Sequence, residues 1–121
     1  SGQEAIEKIK LSENADSSER YDLVFMDHMM PEMDGIEATR IIRNDLESEY
    51  TQNLPIVAFT ANALAGAREM FLENGFNSFL SKPINLIDLD TELKKWIQSK
   101  DTELPAKTNN SKVILSKTLI I

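Results

Sequence analysis

Hydrophobic residues along this chain fall into short unbroken runs separated by stretches of helical periodicity. The segments 22–27 and 56–60 show almost no polar alternation, which is typical of strands buried on both faces of a parallel sheet. A third short strand is predicted at 76–81. Strands that alternate with helices at this spacing indicate βα units, so the pattern predicts an α/β fold built around a parallel sheet.

Helices are predicted between and around these strands. Residues 3–11 are amphipathic, and Asp34 with Glu37 resembles a capping box that starts a helix near Gly35. That helix should fade into the polar stretch 44–53. The other predicted helices are 61–74, which ends at Gly75, and one that starts at Asn85 and carries an apolar face of Leu86, Leu89, Leu93 and Trp96.

The chain changes composition after its last predicted helix. Residues 1–97 form the predicted domain, and the polar, proline-containing stretch 98–111 is typical of a linker. Two apolar, β-prone segments follow it, at 113–115 and 119–121. We therefore expect one domain, with a linker and an apolar tail over 98–121.

Composition and charge exclude several classes of function. The 121 residues suffice for one domain with a sizeable core. A net charge of −7 and a pI of about 4.7 argue against nucleic acid or an anionic membrane as a direct partner. The chain has no cysteine and one histidine, His28, which excludes disulfides, thiolate metal sites, histidine metal clusters and a Ser-His-Asp triad. With no signal peptide or membrane-length apolar run, we expect a cytoplasmic protein or the soluble part of a membrane-anchored sensor kinase.

Asp27, Thr60 and Lys82 each stand at the end of a predicted strand. The carboxyl ends of parallel strands lie side by side, and open α/β sheets bind ligands there. A carboxylate, a hydroxyl and an ammonium group around one small anion are what phosphoryl transfer to an aspartate requires. Asp27 would attack, Lys82 would neutralise the added charge, and Thr60 would donate to a phosphoryl oxygen. Mg²⁺ would be the preferred cation to bridge carboxylate and phosphoryl oxygens.

Over about residues 1–97 the chain resembles the receiver domains of two-component response regulators. The motifs that carry the resemblance match in order and spacing: Asp27 to Gly35 with Met30-Pro31, Phe59-Thr60-Ala61, and Lys82-Pro83. Residues 25–43 are most similar to receivers attached to hybrid histidine kinases. The resemblance implies a flavodoxin-like (CheY-like) parallel sheet with helices on both faces. It also implies a domain that catalyses phosphorylation and dephosphorylation of its own aspartate.

The resemblance implies a role for each matched residue. Asp27 would be the phosphoacceptor, phosphorylated by a histidine kinase or a histidine phosphotransfer protein, and would bind Mg²⁺ together with the backbone carbonyl of Met29. Lys82 would pair with the phosphoryl group. The remaining roles are a switch hydroxyl for Thr60, a switch aromatic for Phe79 and a preceding cis peptide bond for Pro83. Phosphorylation would shift the balance between two existing conformations.

The chain also departs from the receiver pattern. Receivers begin with a strand that ends in two adjacent metal-binding acids, then a helix and another strand, and none of these precedes the helix at residue 3. We therefore expect a receiver lacking its first strand-helix-strand, with weak or absent Mg²⁺ binding, because Asp27 and one carbonyl supply too few oxygen ligands. We accordingly expect this chain by itself to be inactive in phosphotransfer. The exposed edge of strand 22–27 would recruit another strand. We expect part of 112–121 to pair there, within one chain or swapped between two chains of a dimer.

Two other functions compete with phosphoacceptance. A degenerate or truncated receiver that acts as a non-phosphorylated interaction module stays open on sequence alone. An aspartate-nucleophile phosphatase of the haloacid-dehalogenase type is disfavoured, because the position two residues after the nucleophile, where that enzyme needs a second acid, is Met29. The single histidine, His28, is expected to be an exposed neighbour of the site, and Asp34 a helix cap.

Overall fold

The computed structural model of the protein describes residues 1–13, 20–46, 48–61, 65–98 and 118–121. In chain order the elements are α1 (Gly2–Glu13), β1 (Leu23–Asp27), α2 (Gly35–Asn44), α3 (Glu49–Asn53), β2 (Ile56–Thr60), α4 (Ala67–Glu73), β3 (Ser78–Ser81), α5 (Leu86–Gln98) and β4 (Thr118–Ile120). The strands are all parallel, in the order β3-β2-β1-β4, which confirms the predicted α/β architecture. Within these residues no helix is long and apolar enough to span a membrane. The predicted linker after residue 98 and the apolar segment 113–115 lie outside the described residues.

The two central strands carry the core of the protein. β1 pairs with β2 in parallel register, with Asp27 opposite Phe59. Residues 23–26 of β1 are at most 1% exposed, as their unbroken apolar run predicts. Side chains alternate between the two faces of a strand, and both faces are covered. α1, α2 and α4 cover one face through a core that includes Met26, and α5 covers the other face, where Phe25 is buried.

β4 occupies the outer edge of β1. It pairs in parallel, with Leu119 opposite Val24. The Ile121 N–H donates to the Phe25 carbonyl at 2.9 Å, and the Asp27 N–H donates to the Ile121 carbonyl at 2.7 Å. The end of the apolar tail therefore covers the strand edge at which part of that tail is predicted to pair.

α4 is shorter than the sequence predicts. The predicted helix 61–74 begins only at Ala67, because Gly66 has a φ of 88° and its left-handed backbone interrupts helical geometry. Residues 62–64 lie outside the described part of the chain. The predicted end is confirmed, since Gly75 follows the last turn with a φ of 100°, a conformation that favours glycine.

α2 ends at Asn44, which confirms that this helix fades into the polar stretch 44–53. That stretch also contains the short helix α3, which the apolar pattern does not predict and which Ser48 and Thr51 start through a reciprocal capping box. One prediction about the last helix is wrong, because Leu86, predicted on its apolar face, is 79% exposed. It lies in the first turn of α5, which starts at the edge of the sheet, whereas Leu89 one turn later packs against the sheet.

A partly buried guanidinium joins α2 to two neighbouring segments. Arg43 donates to the carbonyl oxygens of Gly75 and Thr51 at 2.9 Å each, and to Asn77 Oδ1 at 2.8 Å. Burial lowers the pKa of Arg43 to about 10, so the group remains charged at neutral pH. Its hydrogen bonds hold α2, α3 and the turn before β3 together.

A second polar contact joins α3 to α1 and to the segment that enters β1. The Tyr50 hydroxyl lies 2.8 Å from Ser12 Oγ and accepts the Tyr21 N–H at 2.9 Å. Burial raises the pKa of the Tyr50 hydroxyl, and the hydrogen bonds with Ser12 and Tyr21 oppose that rise.

Candidate functional site

Three strand ends meet at one edge of the sheet. In the register of β1 and β2, Asp27 lies opposite Phe59. The Lys82 N–H donates to the Thr60 carbonyl at 2.7 Å, so the chain leaving β3 passes directly beside the end of β2. The fold thereby brings the backbones of Asp27, Thr60 and Lys82 to the edge at which open α/β sheets bind ligands.

Asp27 and Lys82 form an ion pair at this edge. Lys82 Nζ lies 2.8 Å from Asp27 Oδ1. The Asp27 side chain is 32% exposed and that of Lys82 is 39% exposed, so solvent and a small substrate can reach the carboxylate. The peptide bond between Lys82 and Pro83 is cis. A partly exposed carboxylate beside an ammonium group suits a nucleophile that gains negative charge when it reacts.

The Thr60 side chain has a different neighbour. It is 1% exposed, and its Oγ1 lies 3.2 Å from His28 Nδ1. By strand alternation Thr60 lies on the same sheet face as Ala58, which α1, α2 and α4 cover. His28, two residues after Met26, is directed to that same face. The structure therefore brings Lys82 to Asp27 and His28 to Thr60.

His28 is more enclosed than the sequence predicts. Its ring is partly buried and meets the Phe71 ring edge-on, with the centroids 5.2 Å apart. The expectation of an exposed neighbour of the site is therefore wrong. Strand alternation is the signal that identifies it, because the residue after Asp27 is directed to the same face as the threonine at the end of the next strand.

Gly35 allows the loop after β1 to close back on the strand. Its N–H donates to the His28 carbonyl at 2.9 Å. A Cβ atom at this position would collide with the Asp27 carbonyl oxygen, so glycine is required by close approach and not only as a strand breaker. Asp34 starts the next helix by accepting the Glu37 N–H at 2.9 Å, which confirms the predicted cap. Both residues hold the backbone that follows Asp27.

The remaining predicted residues lie around this centre. Phe79 of β3 is partly buried and stacks on Phe71, with ring centroids 5.4 Å apart and 29° between the planes. Met29 is 69% exposed. Its backbone carbonyl is a candidate ligand through the family resemblance alone.

The described residues do not by themselves fit a magnesium site. Among them, no group of three or more His, Cys, Asp or Glu side chains is placed to hold a metal ion. Mg²⁺ prefers about six oxygen ligands in an octahedron. Asp27 offers one carboxylate, one oxygen of which contacts Lys82, and the Met29 carbonyl would add a single ligand. This donor set falls short of what Mg²⁺ requires.

Comparisons with known proteins agree with one another. Residues 1–94 match the family model of the response regulator receiver domain. The osmosensing histidine protein kinase SLN1 of Saccharomyces cerevisiae is 45% identical over 95 residues, which cover 78% of this chain and 7% of that protein.

Two solved structures are similar in fold and in sequence. One is the receiver domain of sensor histidine kinase PA1611 from Pseudomonas aeruginosa PAO1, which was crystallised with a magnesium ion coordinated in its active site cleft. It is 40% identical to this chain, with a TM-score of 0.58, and the match covers 75% of this chain and 69% of that one. The co-crystal structure of the Saccharomyces cerevisiae histidine phosphotransfer signaling protein Ypd1 and the receiver domain of its downstream response regulator Ssk1 contains a chain that is 33% identical. Its TM-score is 0.63, over 78% of this chain and 66% of that one.

The family match begins in α1 and ends within α5, so it includes both members of the ion pair at the strand ends. It covers well over half of the 121 residues. The chain spans only 7% of the SLN1 kinase, so the comparison identifies a domain and not a whole protein. That domain, with its parallel sheet and its carboxylate at the edge, belongs to the response regulator receiver domain family.

Proposed function

We propose that this receiver accepts a phosphoryl group on Asp27 from a phosphohistidine of a histidine kinase or a histidine phosphotransfer protein. The observation that carries the proposal is the 2.8 Å contact between Lys82 Nζ and Asp27 Oδ1, at an edge where the carboxylate is partly exposed. The similarity to the SLN1 histidine kinase supports it. The chain spans only 7% of that kinase, so the similarity supports this activity for the domain. The activity of the whole protein that contains the domain is likewise a proposal.

In the proposed transfer, an oxygen of the Asp27 carboxylate attacks the phosphorus atom of the donor phosphohistidine. The O–P bond forms as the N–P bond breaks, and the electron pair of the broken bond returns to the donor imidazole. Lys82 stays beside the acyl phosphate and offsets its added negative charge through a charge-assisted hydrogen bond. Thr60 would donate to a phosphoryl oxygen once its hydroxyl leaves His28, and Phe79 would turn with it as the second half of the switch.

A histidine phosphotransfer protein is the proposed donor, because the chain is similar to a receiver that was crystallised with one. The receiver would comprise residues 1–97, with 98–121 as a linker and edge strand. We place it in the cytoplasm, alone or as part of a membrane-anchored kinase. β4 would pair within one chain or, exchanged between two copies, would hold a dimer.

Incubation with a radiolabelled phosphohistidine donor, or with phosphoramidate, tests phosphoacceptance directly, in a form of the chain extended upstream by a strand that ends in two acids, because little labelling is expected without them. Asp27→Asn should abolish labelling, and Lys82→Ala should lower its initial rate by about 100-fold because the offsetting charge is lost. Asp22→Asn is the matched control, since Asp22 precedes β1 at the opposite end of the strand and should label like the wild type. Labelling that survives Asp27→Asn would contradict the proposal.

Weak or absent Mg²⁺ binding by this chain is a further part of the proposal. The lack of an acidic cluster among the described residues supports it. Calorimetric titration with Mg²⁺ should show little heat, and labelling should increase when an upstream strand ending in two acids is added.

The lack of an acidic cluster among the described residues also supports a second candidate function, a receiver that binds partners without being phosphorylated. Binding of a phosphotransfer protein without labelling, even after that extension, would favour this second function.

A further inference from the structure

His28 connects the Thr60 hydroxyl to a cluster of aromatic rings. Its Nδ1 lies 3.2 Å from Thr60 Oγ1. Its ring meets the Phe71 ring edge-on, at 5.2 Å between centroids and 84° between planes. Phe71 in turn stacks on Phe79, at 5.4 Å and 29°. One continuous series of contacts therefore runs from the end of β2, through α4, to β3.

Hydrogen bonds on both sides of His28 hold its backbone in place. The His28 N–H donates to the Phe59 carbonyl at 2.8 Å, and the His28 carbonyl accepts the Gly35 N–H at 2.9 Å. The neighbouring ring, Phe71, is 0% exposed and so cannot yield without disturbing the core. Between this backbone and Phe71, the imidazole lies with Nδ1 towards Thr60.

Thr60 and Asp27 belong to opposite faces of the sheet. Thr60 shares a face with Ala58, in the core beneath α4, whereas Asp27 shares a face with Phe25, which α5 covers. A threonine hydroxyl held towards His28 is therefore held towards α4 rather than towards the ion pair. To contact a phosphoryl group on Asp27, the hydroxyl must leave His28.

We propose that His28 is a positioning residue, which holds the Thr60 hydroxyl on the α4 side of the sheet before phosphorylation and couples its departure to Phe71 and Phe79. The inference rests on the proposed function, because the competing partner for Thr60 is a phosphoryl group on Asp27. When Thr60 changes partner, His28 loses its hydrogen bond and its ring shifts against Phe71. The hydrogen bond thus selects between two arrangements of one packed cluster.

The single histidine makes this contact directly observable. Protein labelled with nitrogen-15 histidine gives imidazole nitrogen signals from His28 alone. At one fixed pH, Thr60→Val removes the hydroxyl at nearly constant volume and should displace the Nδ1 signal, whereas Thr60→Ser keeps the hydroxyl and should leave the signal near its wild-type position. Thr51→Val is the matched control, because Thr51 is another fully buried threonine, whose hydroxyl serves the cap of α3.

Coupling to the rings is measured in the same samples. Thr60→Val should shift the ring proton signals of Phe79 in the wild-type background but not in a His28→Leu background. Phosphorylation of Asp27 should displace the Nδ1 signal in the same direction as Thr60→Val does.

The outcomes separate this inference from the proposed function. An Nδ1 signal that Thr60→Val leaves in place overturns the positioning role, whatever the labelling of Asp27 shows. An equal shift of Phe79 in both backgrounds overturns the coupling. A displaced Nδ1 signal without labelling of Asp27 supports the contact between His28 and Thr60 and overturns the proposed function.

Discussion

Leu119 offers the most direct measure of how firmly β4 is bound to β1. It is 6% exposed and lies opposite Val24, so Leu119→Ala removes buried carbon atoms from the core. Leucine-to-alanine substitutions in protein interiors cost about 2–5 kcal/mol. β4 has three residues and lies at the edge of the sheet, where neighbours can relax into the vacated space. We therefore expect the free energy of unfolding to fall by about 2 kcal/mol, the lower end of that range.

Ile120→Ala is the matched control. Ile120 is the next residue of the same strand but is 66% exposed, so the loss should stay below about 0.5 kcal/mol. Both substitutions remove the same number of carbon atoms from β4, so their difference isolates burial. Urea denaturation followed by circular dichroism and by Trp96 fluorescence gives both values. Equal losses for the two variants would refute the docking of β4 on β1.

The dependence of these values on protein concentration distinguishes docking within one chain from exchange between two. A β4 from the same chain gives an unfolding midpoint that is independent of concentration. A β4 supplied by a second copy gives a midpoint that rises with concentration, because association stabilises the folded state by mass action. Light scattering of the wild type and of Leu119→Ala then shows whether a dimer depends on this side chain.

Two further substitutions test the loop after β1 and the contact between α1 and α3. Gly35→Ala should slow the labelling of Asp27, because a Cβ at this position collides with the Asp27 carbonyl oxygen. Gly66→Ala strains a left-handed backbone, but its Cβ would meet no described atom, so it should label like the wild type. Equal labelling rates for the two variants would contradict the close approach at Gly35. Tyr50→Phe should lower the free energy of unfolding at neutral pH by about 1–2 kcal/mol, because two hydrogen bonds are lost. Since burial raises the pKa of the folded Tyr50 above the unfolded value of 10.0, the contribution of the hydroxyl is fully present below that pH and is lost as pH rises through the folded pKa. Urea midpoints of the wild type and Tyr50→Phe should therefore converge in alkali, and a constant separation would contradict this account.

The strands are predictable because their signal is local. The apolar runs 22–27 and 56–60 correspond to β1 and β2 to within one residue, since burial on both faces leaves no polar alternation. The start of α3 depends on the capping box at Ser48, and the start of α4 on the left-handed conformation of Gly66. An apolar pattern records neither. The apolar pattern also does not predict the hydrogen bonds of Arg43, because they join segments far apart in sequence.

The candidate site likewise has one part that the sequence predicts and one part that it does not. The proximity of Asp27 and Lys82 follows from topology, because the carboxyl ends of parallel strands share one edge of the sheet. The contact between Thr60 and His28 depends on where two side chains point as their strands end, and on the placement of Phe71 by α4. Tertiary packing sets those directions, and a single sequence does not display them.

β4 runs in the same direction as β1, so its carboxyl end is directed to the edge that carries Asp27. The Asp27 N–H donates to the carbonyl oxygen of Ile121, which makes Ile121 a backbone neighbour of the proposed phosphoacceptor. Any peptide joined after Ile121 would therefore emerge at the mouth of the site. An affinity tag attached there would obstruct an incoming phosphoryl donor. Two aspartates engineered at that junction would instead present oxygen ligands for a hard cation beside Asp27.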